Sequence, residues 1–171
     1  MSKPDPDSKG ADAPDEHSLG LDVGGMLPEF DLPASSGRRV RLAELRGRPF
    51  VLYCYPKADT SGCTQEALEF QAGLDALGNA APVVIGLSRD PIGAIDKFAA
   101  KRDLRFPLAA DEAGLLLEPL GVWVEKSMYG RRYMGVERST FLIDPDGRIA
   151  RVWRKVKVPG HAAEVLEAAR Q

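Results

Sequence analysis

The only thiols among the 171 residues are Cys54 and Cys63, both inside VLYCYPKADTSGCTQEALEF, residues 51–70. Four chemistries are open to such a pair: a redox couple, a metal site, packing, or one reactive sulfur beside a bystander. Metal is disfavoured, because the chain offers only His17 and His161 as histidines and no ligand set for structural zinc. Dedicated dithiol enzymes space their cysteines as C-x-x-C, and this pair stands much farther apart. Cys63 is singled out by its setting. PFVLYCY (49–55) is a run of β-formers closed by Pro56, the pattern of a strand buried on both faces. Beyond it Cys63, Ala67, Phe70, Leu74 and Leu77 recur every three or four residues and Gly78 supplies a stop. This predicts a helix with Cys63 in its first turn, on the inward stripe. A thiol there sits near the positive end of the helix dipole, beside N–H groups without intrahelical partners, and both features favour a thiolate nucleophile. The alternative is a buried cysteine acting as a small apolar residue. Position alone leaves the two readings level.

The elements that must hold this helix follow a regular alternation. LPEFDLPASSGRRVRLAEL (27–45) predicts a small hairpin around SSG. PVVIGLS (82–88) reads as a second buried strand. The next stretch, RDPIGAIDKFAAKRD, reads as a helix with Asp90 as cap, Pro91 at the first helical position, and Ile92, Ile95, Phe98 and Ala99 on one face. Strand, helix, strand, helix implies a right-handed βαβ unit. RSTFLIDPDGRIARVWRKV (138–156) places two β-rich runs around DPDG, an antiparallel pair. HAAEVLEAAR closes the chain as a helix with Ala162, Val165, Leu166 and Ala169 on one side. The expected fold class is α/β, a mixed sheet with helices on its faces.

Composition agrees with one ordinary domain: 44% of residues are hydrophobic and 28% charged. Residues 1–21 are polar and rich in Pro, Asp and Gly, with no apolar core for a signal peptide, so a disordered tail on a cytoplasmic protein is expected, with the domain over 22–171. A net charge of -2 provides no general attraction to nucleic acid or an anionic membrane. RVWRKVKV (151–158) interleaves its charges with Val and Trp, as on a strand with one solvated face. The apolar runs are too short to span a bilayer.

Pro56, Thr60 and Cys63 stand in the spacing P-x-x-x-T-x-x-C between strand and helix, which resembles the peroxiredoxin active-site loop. YPKADTSGCTQEA is most similar to the peroxiredoxin Q, or bacterioferritin comigratory protein, branch. The similarity extends through PEFDLPASSGRRVRLAELRGRPFVLYCYPK and GVWVEKSMYGRRYMGVERSTFLIDPDGRI and covers roughly residues 22–170. The resemblance implies a thioredoxin-like fold and a thiol-dependent peroxidase acting on hydrogen peroxide and small organic hydroperoxides, with no cofactor, because sulfur itself changes redox state. It assigns Cys63 as the attacking thiolate and Thr60, with the N–H groups around Gly62 and Cys63, as donors to the peroxide. Pro56 would shield the sulfur, and Arg138 in VERSTFLID would pair with it. Read without the family, Thr60 is a helix cap, Pro56 a strand terminator and Arg138 a solvated strand end. Glu66 also matches, either bonding near Arg138 or favouring the helix start, and Tyr55 would line the pocket or pack.

The sequence departs from the branch at one point. Many members carry a resolving cysteine five residues after the first, and here that position is Leu68; the second helix has none either. The simplest implication is a one-cysteine cycle in which thioredoxin, glutaredoxin or a small-molecule thiol reduces the sulfenic acid. Cys54 is the only internal candidate for resolution, and a buried strand thiol is expected to be inert packing. Two other functions compete: a thiol-disulfide oxidoreductase using Cys54 and Cys63, and a noncatalytic redox sensor or holdase. Monomer and homodimer are equally compatible with the sequence.

Overall fold

The computed structural model describes residues 20–170, so the expected tail lies outside the described residues up to residue 19, as does His17. Leu21, counted with that tail, donates its N–H to Pro119 O at 2.9 Å and packs against the core.

The expected N-terminal hairpin forms from β1 (Asp31–Pro33) and β2 (Arg39–Arg41), paired antiparallel and followed by the short α1 (Leu42–Leu45). The predicted buried strand is β3 (Phe50–Cys54), with all five residues buried. It leads into α2 (Ser61–Leu77), which stops where Gly78 turns to φ 56°. Next come β4 (Val83–Ser88), α3 (Ile92–Arg102) and β5 (Leu108–Ala110). The chain then forms β6 (Trp123–Met128), β7 (Arg131–Val136), β8 (Ser139–Ile143), β9 (Ile149–Trp153) and α4 (His161–Ala169). The main sheet runs β5-β4-β3-β8-β9. β3 lies at its centre, parallel to β4 and antiparallel to β8, which is why its sequence is apolar on both faces.

Alternation along β3 divides the interior in two. Phe50, Leu52 and Cys54 join the cluster built with the N-terminal hairpin, Leu42 of α1 and Leu116, Leu117 and Leu120. Val51 and Tyr53, and Tyr55 just beyond the strand, join the cluster formed with Ala67 and Phe70 of α2, Ile95 and Phe98 of α3, and Val165 and Leu166 of α4.

Three local expectations need correction. Asp90 does not cap α3: Pro91 is itself the N-cap, with φ -66° and ψ 152°, and no side chain caps it. The Asp90 carboxylate is engaged elsewhere, as described below. The RVWRKVKV stretch is a strand only to Trp153, beyond which Arg154 bonds to Leu21 O at 2.9 Å and only Val156 N–H still reaches the β8 side, at Arg138 O. Residues 121–137, for which the sequence patterns predict no element, form the separate β6–β7 hairpin. Its turn places Tyr129 and Gly130 at φ 53° and 78°, as a two-residue hairpin turn of the primed type requires.

Candidate active site

Cys63 lies in the first turn of α2 and is 2% exposed. The first intrahelical bond runs from Thr64 N–H to Thr60 O at 2.8 Å, which leaves the N–H groups of Ser61, Gly62 and Cys63 outside the helical ladder. Thr60 is the N-cap residue, but its hydroxyl does not cap the helix; it donates to Lys57 O at 2.9 Å and tightens the loop. The helix end therefore keeps its orphan donors and its positive partial charge on the Cys63 side.

Arg138, immediately before β8, reaches across the sheet end, and its Nη2 stands 3.4 Å from Cys63 Sγ. Its Nη1 donates to Glu66 Oε1 at 2.6 Å. Glu66 is 1% exposed and one turn along the helix from the sulfur, so Arg138 is held between two groups of α2. Gly62 leaves room for the approach: a Cβ there would lie 3.2 Å from Arg138 Nη2, and the guanidinium would have to give by a few tenths of an ångström. Burial raises the Glu66 carboxyl to about 7 against the opposing pull of Arg138. Burial also opposes the Arg138 charge, but Glu66 and Cys63 outweigh it and hold the guanidinium above the ordinary arginine range.

Pro56 ends the strand half-buried and lines a cleft of about 500 Å³ with Trp123, Lys126 and Val136. Tyr55 is a buried packing residue, its ring 6.4 Å from that of Phe98, with burial pushing its hydroxyl pKa up. Cys54 is fully buried in the opposite cluster from Cys63, and burial pushes its thiol well up. Both cysteines are free. The two thiols thus share a stretch of chain but not a face of the sheet, and a Cys54–Cys63 bond would require β3 to turn a residue over.

Sequence reasoning missed two residues near this site. Asp90 accepts the Ala58 N–H in the loop between β3 and α2. Lys126 of β6 reaches Val136 O at 2.6 Å, and burial, then Arg138, lowers its pKa. Local patterns favoured a helix cap for Asp90 and carried no signal for a lysine whose hairpin had not been recognised.

A sulfur at a helix N-terminus, paired with an arginine at the end of a mixed five-stranded sheet, defines a thiol protein of thioredoxin-like architecture. The sequence pattern of the AhpC/TSA family matches residues 23–152. Peroxiredoxin Bcp of Bacillus subtilis is 42% identical over 147 residues, 86% of this chain and 94% of its own. Peroxiredoxin Bcp of Xanthomonas campestris is 45% identical over 141 residues, 81% of this chain and 88% of its own. Among solved structures, a cysteine-to-serine mutant of Xylella fastidiosa PrxQ superimposes with a TM-score of 0.81 at 39% identity, covering 86% of this chain and 94% of that one. A structure of the Xanthomonas campestris bacterioferritin comigratory protein, described in terms of its alkyl peroxide reduction activity, gives 0.79 at 40% identity, covering 87% and 98%. The chain belongs to the AhpC/TSA family as a peroxiredoxin of the Bcp and PrxQ type, a thiol-dependent peroxidase with a thioredoxin-like fold.

Proposed function

We propose that Cys63 is the peroxide-reactive sulfur and that its cycle uses one cysteine of this chain. The observation that carries this reading is the Arg138 guanidinium 3.4 Å from Sγ, a permanently charged partner for a thiolate in a buried site. The thiolate attacks one peroxide oxygen: an S–O bond forms, the O–O bond breaks, and the departing hydroxide or alkoxide leaves as water or alcohol after gaining a proton. Sulfur loses two electrons and becomes a sulfenic acid. Arg138, the N–H groups at Gly62 and Cys63, and the Thr60 hydroxyl after turning from Lys57 O are the donors available to the developing charge. Pro56 screens the sulfur. Glu66 orients Arg138, and Gly62 leaves room for it.

An external thiol then attacks the sulfenic sulfur and expels water, and a second thiol releases Cys63 as its thiolate, leaving a disulfide between the two external sulfurs. Thioredoxin, glutaredoxin and small thiols fit that role, in a reducing compartment such as the cytoplasm. Hydrogen peroxide and small organic hydroperoxides are the substrate class, the latter supported by the alkyl peroxide reduction described for the Xanthomonas relative. The separation of Cys54 and Cys63 onto opposite faces argues against both internal resolution and a dithiol oxidoreductase.

The test is one equivalent of hydrogen peroxide on the reduced protein with a sulfenic-acid trap, followed by intact mass and peptide mapping without reductant. A trapped adduct on Cys63 is expected. A loss of two hydrogens per chain with Cys54 bonded to Cys63 would overturn the one-cysteine cycle, and no reaction would remove Cys63 from the role of nucleophile.

A further inference from the structure

The loop from Tyr55 to Thr60 carries two of the proposed site residues, yet among the described residues it belongs to no helix or strand. It is tied to the end of β4 by two bonds. Tyr55 N–H donates to Leu87 O at 3.0 Å, a continuation of strand pairing. Ala58 N–H donates to Asp90 Oδ2 at 2.8 Å. The second bond is unlike an ordinary turn contact, because the acceptor is a carboxylate from 32 residues away. Asp90 is itself fixed: its Oδ2 also accepts the Ser88 hydroxyl at 2.9 Å, and its own N–H donates back to Ser88 Oγ at 3.2 Å. Ser88 is fully buried at the end of β4, so the acceptor is anchored to the central sheet. The far side of the loop, Asp59 at φ 66°, is held by Lys101 at 2.9 Å and Arg102 at 3.5 Å. Those contacts are solvent-exposed and contribute little. The half-buried, charge-assisted bond to Asp90 is the stronger constraint.

We propose that Asp90 is a positioning residue of the peroxidase: by taking the Ala58 N–H it fixes the β3–α2 loop so that Pro56 and Thr60 are held in place beside Cys63. The proposal rests on Cys63 being the reactive sulfur. It gives a use to the Asp90 carboxylate, which lies one residue outside the α3 N-cap Pro91 and does not cap that helix. The two halves of the cycle make opposite demands on this loop. Peroxide is small and gains from fixed donors. A reducing thiol must reach a sulfur that is 2% exposed and gains from a loop that yields. Loss of the Asp90 bond should therefore slow oxidation and leave reduction unchanged or faster, a split that a simple loss of folded protein, which lowers both, would not produce.

The experiment measures both half-reactions in the full chain: the second-order rate of Cys63 oxidation by hydrogen peroxide, and the rate at which dithiothreitol reduces the preformed sulfenic acid. D90A is expected to lower the first about tenfold or more without lowering the second, since small misplacements of positioning groups cost rate steeply. D90N, which keeps an oxygen where Oδ2 stands, should recover oxidation to within about threefold. D90E retains the charge but carries the carboxylate one methylene too far and should behave as D90A; it serves as the readout if D90A does not fold. Oxidation at the wild-type rate in D90A or D90E, or an equal fall in both half-reactions, would overturn the proposal. Failure of wild-type Cys63 to oxidise at all would instead sink the reading of Cys63, which the same traces report separately.

Discussion

The two faces of β3 hold the two sulfurs of the chain in opposite chemical circumstances. On one face Cys54 is packed in an apolar cluster that includes Phe50 and Phe141, and burial drives its thiol toward the protonated form. On the other, Cys63 sits at an uncapped helix end with a guanidinium 3.4 Å away. Both are almost wholly removed from solvent, at 0% and 2% exposure, so burial alone does not separate their surroundings. The difference lies in direct partners: Cys63 has a guanidinium within hydrogen-bond reach and a helix start beside it, whereas at Cys54 the pull of Arg154 is outweighed by burial, Glu66 and Asp111.

The sharpest way to break this contrast is to remove each sulfur in turn. C63S should abolish peroxide consumption, whereas C54A should stay within about twofold of wild type and lose on the order of 1 kcal/mol of stability in urea unfolding. Comparable activity losses in the two would erase the distinction. Next in size is Arg138: R138K keeps a charge but not a fork able to serve Glu66 and Cys63 together, and should lower kcat/KM for hydrogen peroxide by about a hundredfold. G62A tests the same approach by crowding, since its Cβ would stand 3.2 Å from Nη2. A loss of about tenfold in kcat/KM is expected from the displaced guanidinium.

The smallest effect is on pH dependence. Glu66, with its carboxyl raised by burial to about 7 from 4.5, binds a proton in the folded protein that the unfolded chain has released, so its contribution to stability falls as pH rises through that window. Urea unfolding at pH 5 and pH 7.5 should show wild type losing stability relative to E66Q as pH rises, by at most about 1.4 kcal/mol per pH unit. Parallel curves would remove Glu66 as the titrating group.

Much of this arrangement was legible in the sequence because it rests on local periodicity. The β-run at 49–55, the three- and four-residue spacing after Cys63, and DPDG between two strands each specify an element without reference to the rest of the chain. Arg138 was identified through its resemblance context, since no local rule connects residues separated by 75 positions. What could not be read was the use of side chains over distance. Asp90 has the right neighbours for a helix cap, and only the folded chain brings Ala58 N–H close enough to compete for it. Thr60 likewise occupies the cap position while its hydroxyl bonds backward to Lys57 O. The β6–β7 hairpin was missed because Tyr129 supplies one positive φ of its turn, where Asn or Asp is the usual sign.

Evolution of a helper sulfur for Cys63 is confined by the central position of β3. Its residues alternate strictly between faces and are paired on both edges, so bringing Cys54 to the other side would demand a one-residue slip against β4 and β8 together. Substitutions on the helices meet no such barrier: Leu68, on the partly exposed flank of α2, can change without disturbing a single strand pairing. A thiol placed at Leu68 would leave every strand register untouched, whereas one moved across β3 would shift the whole strand.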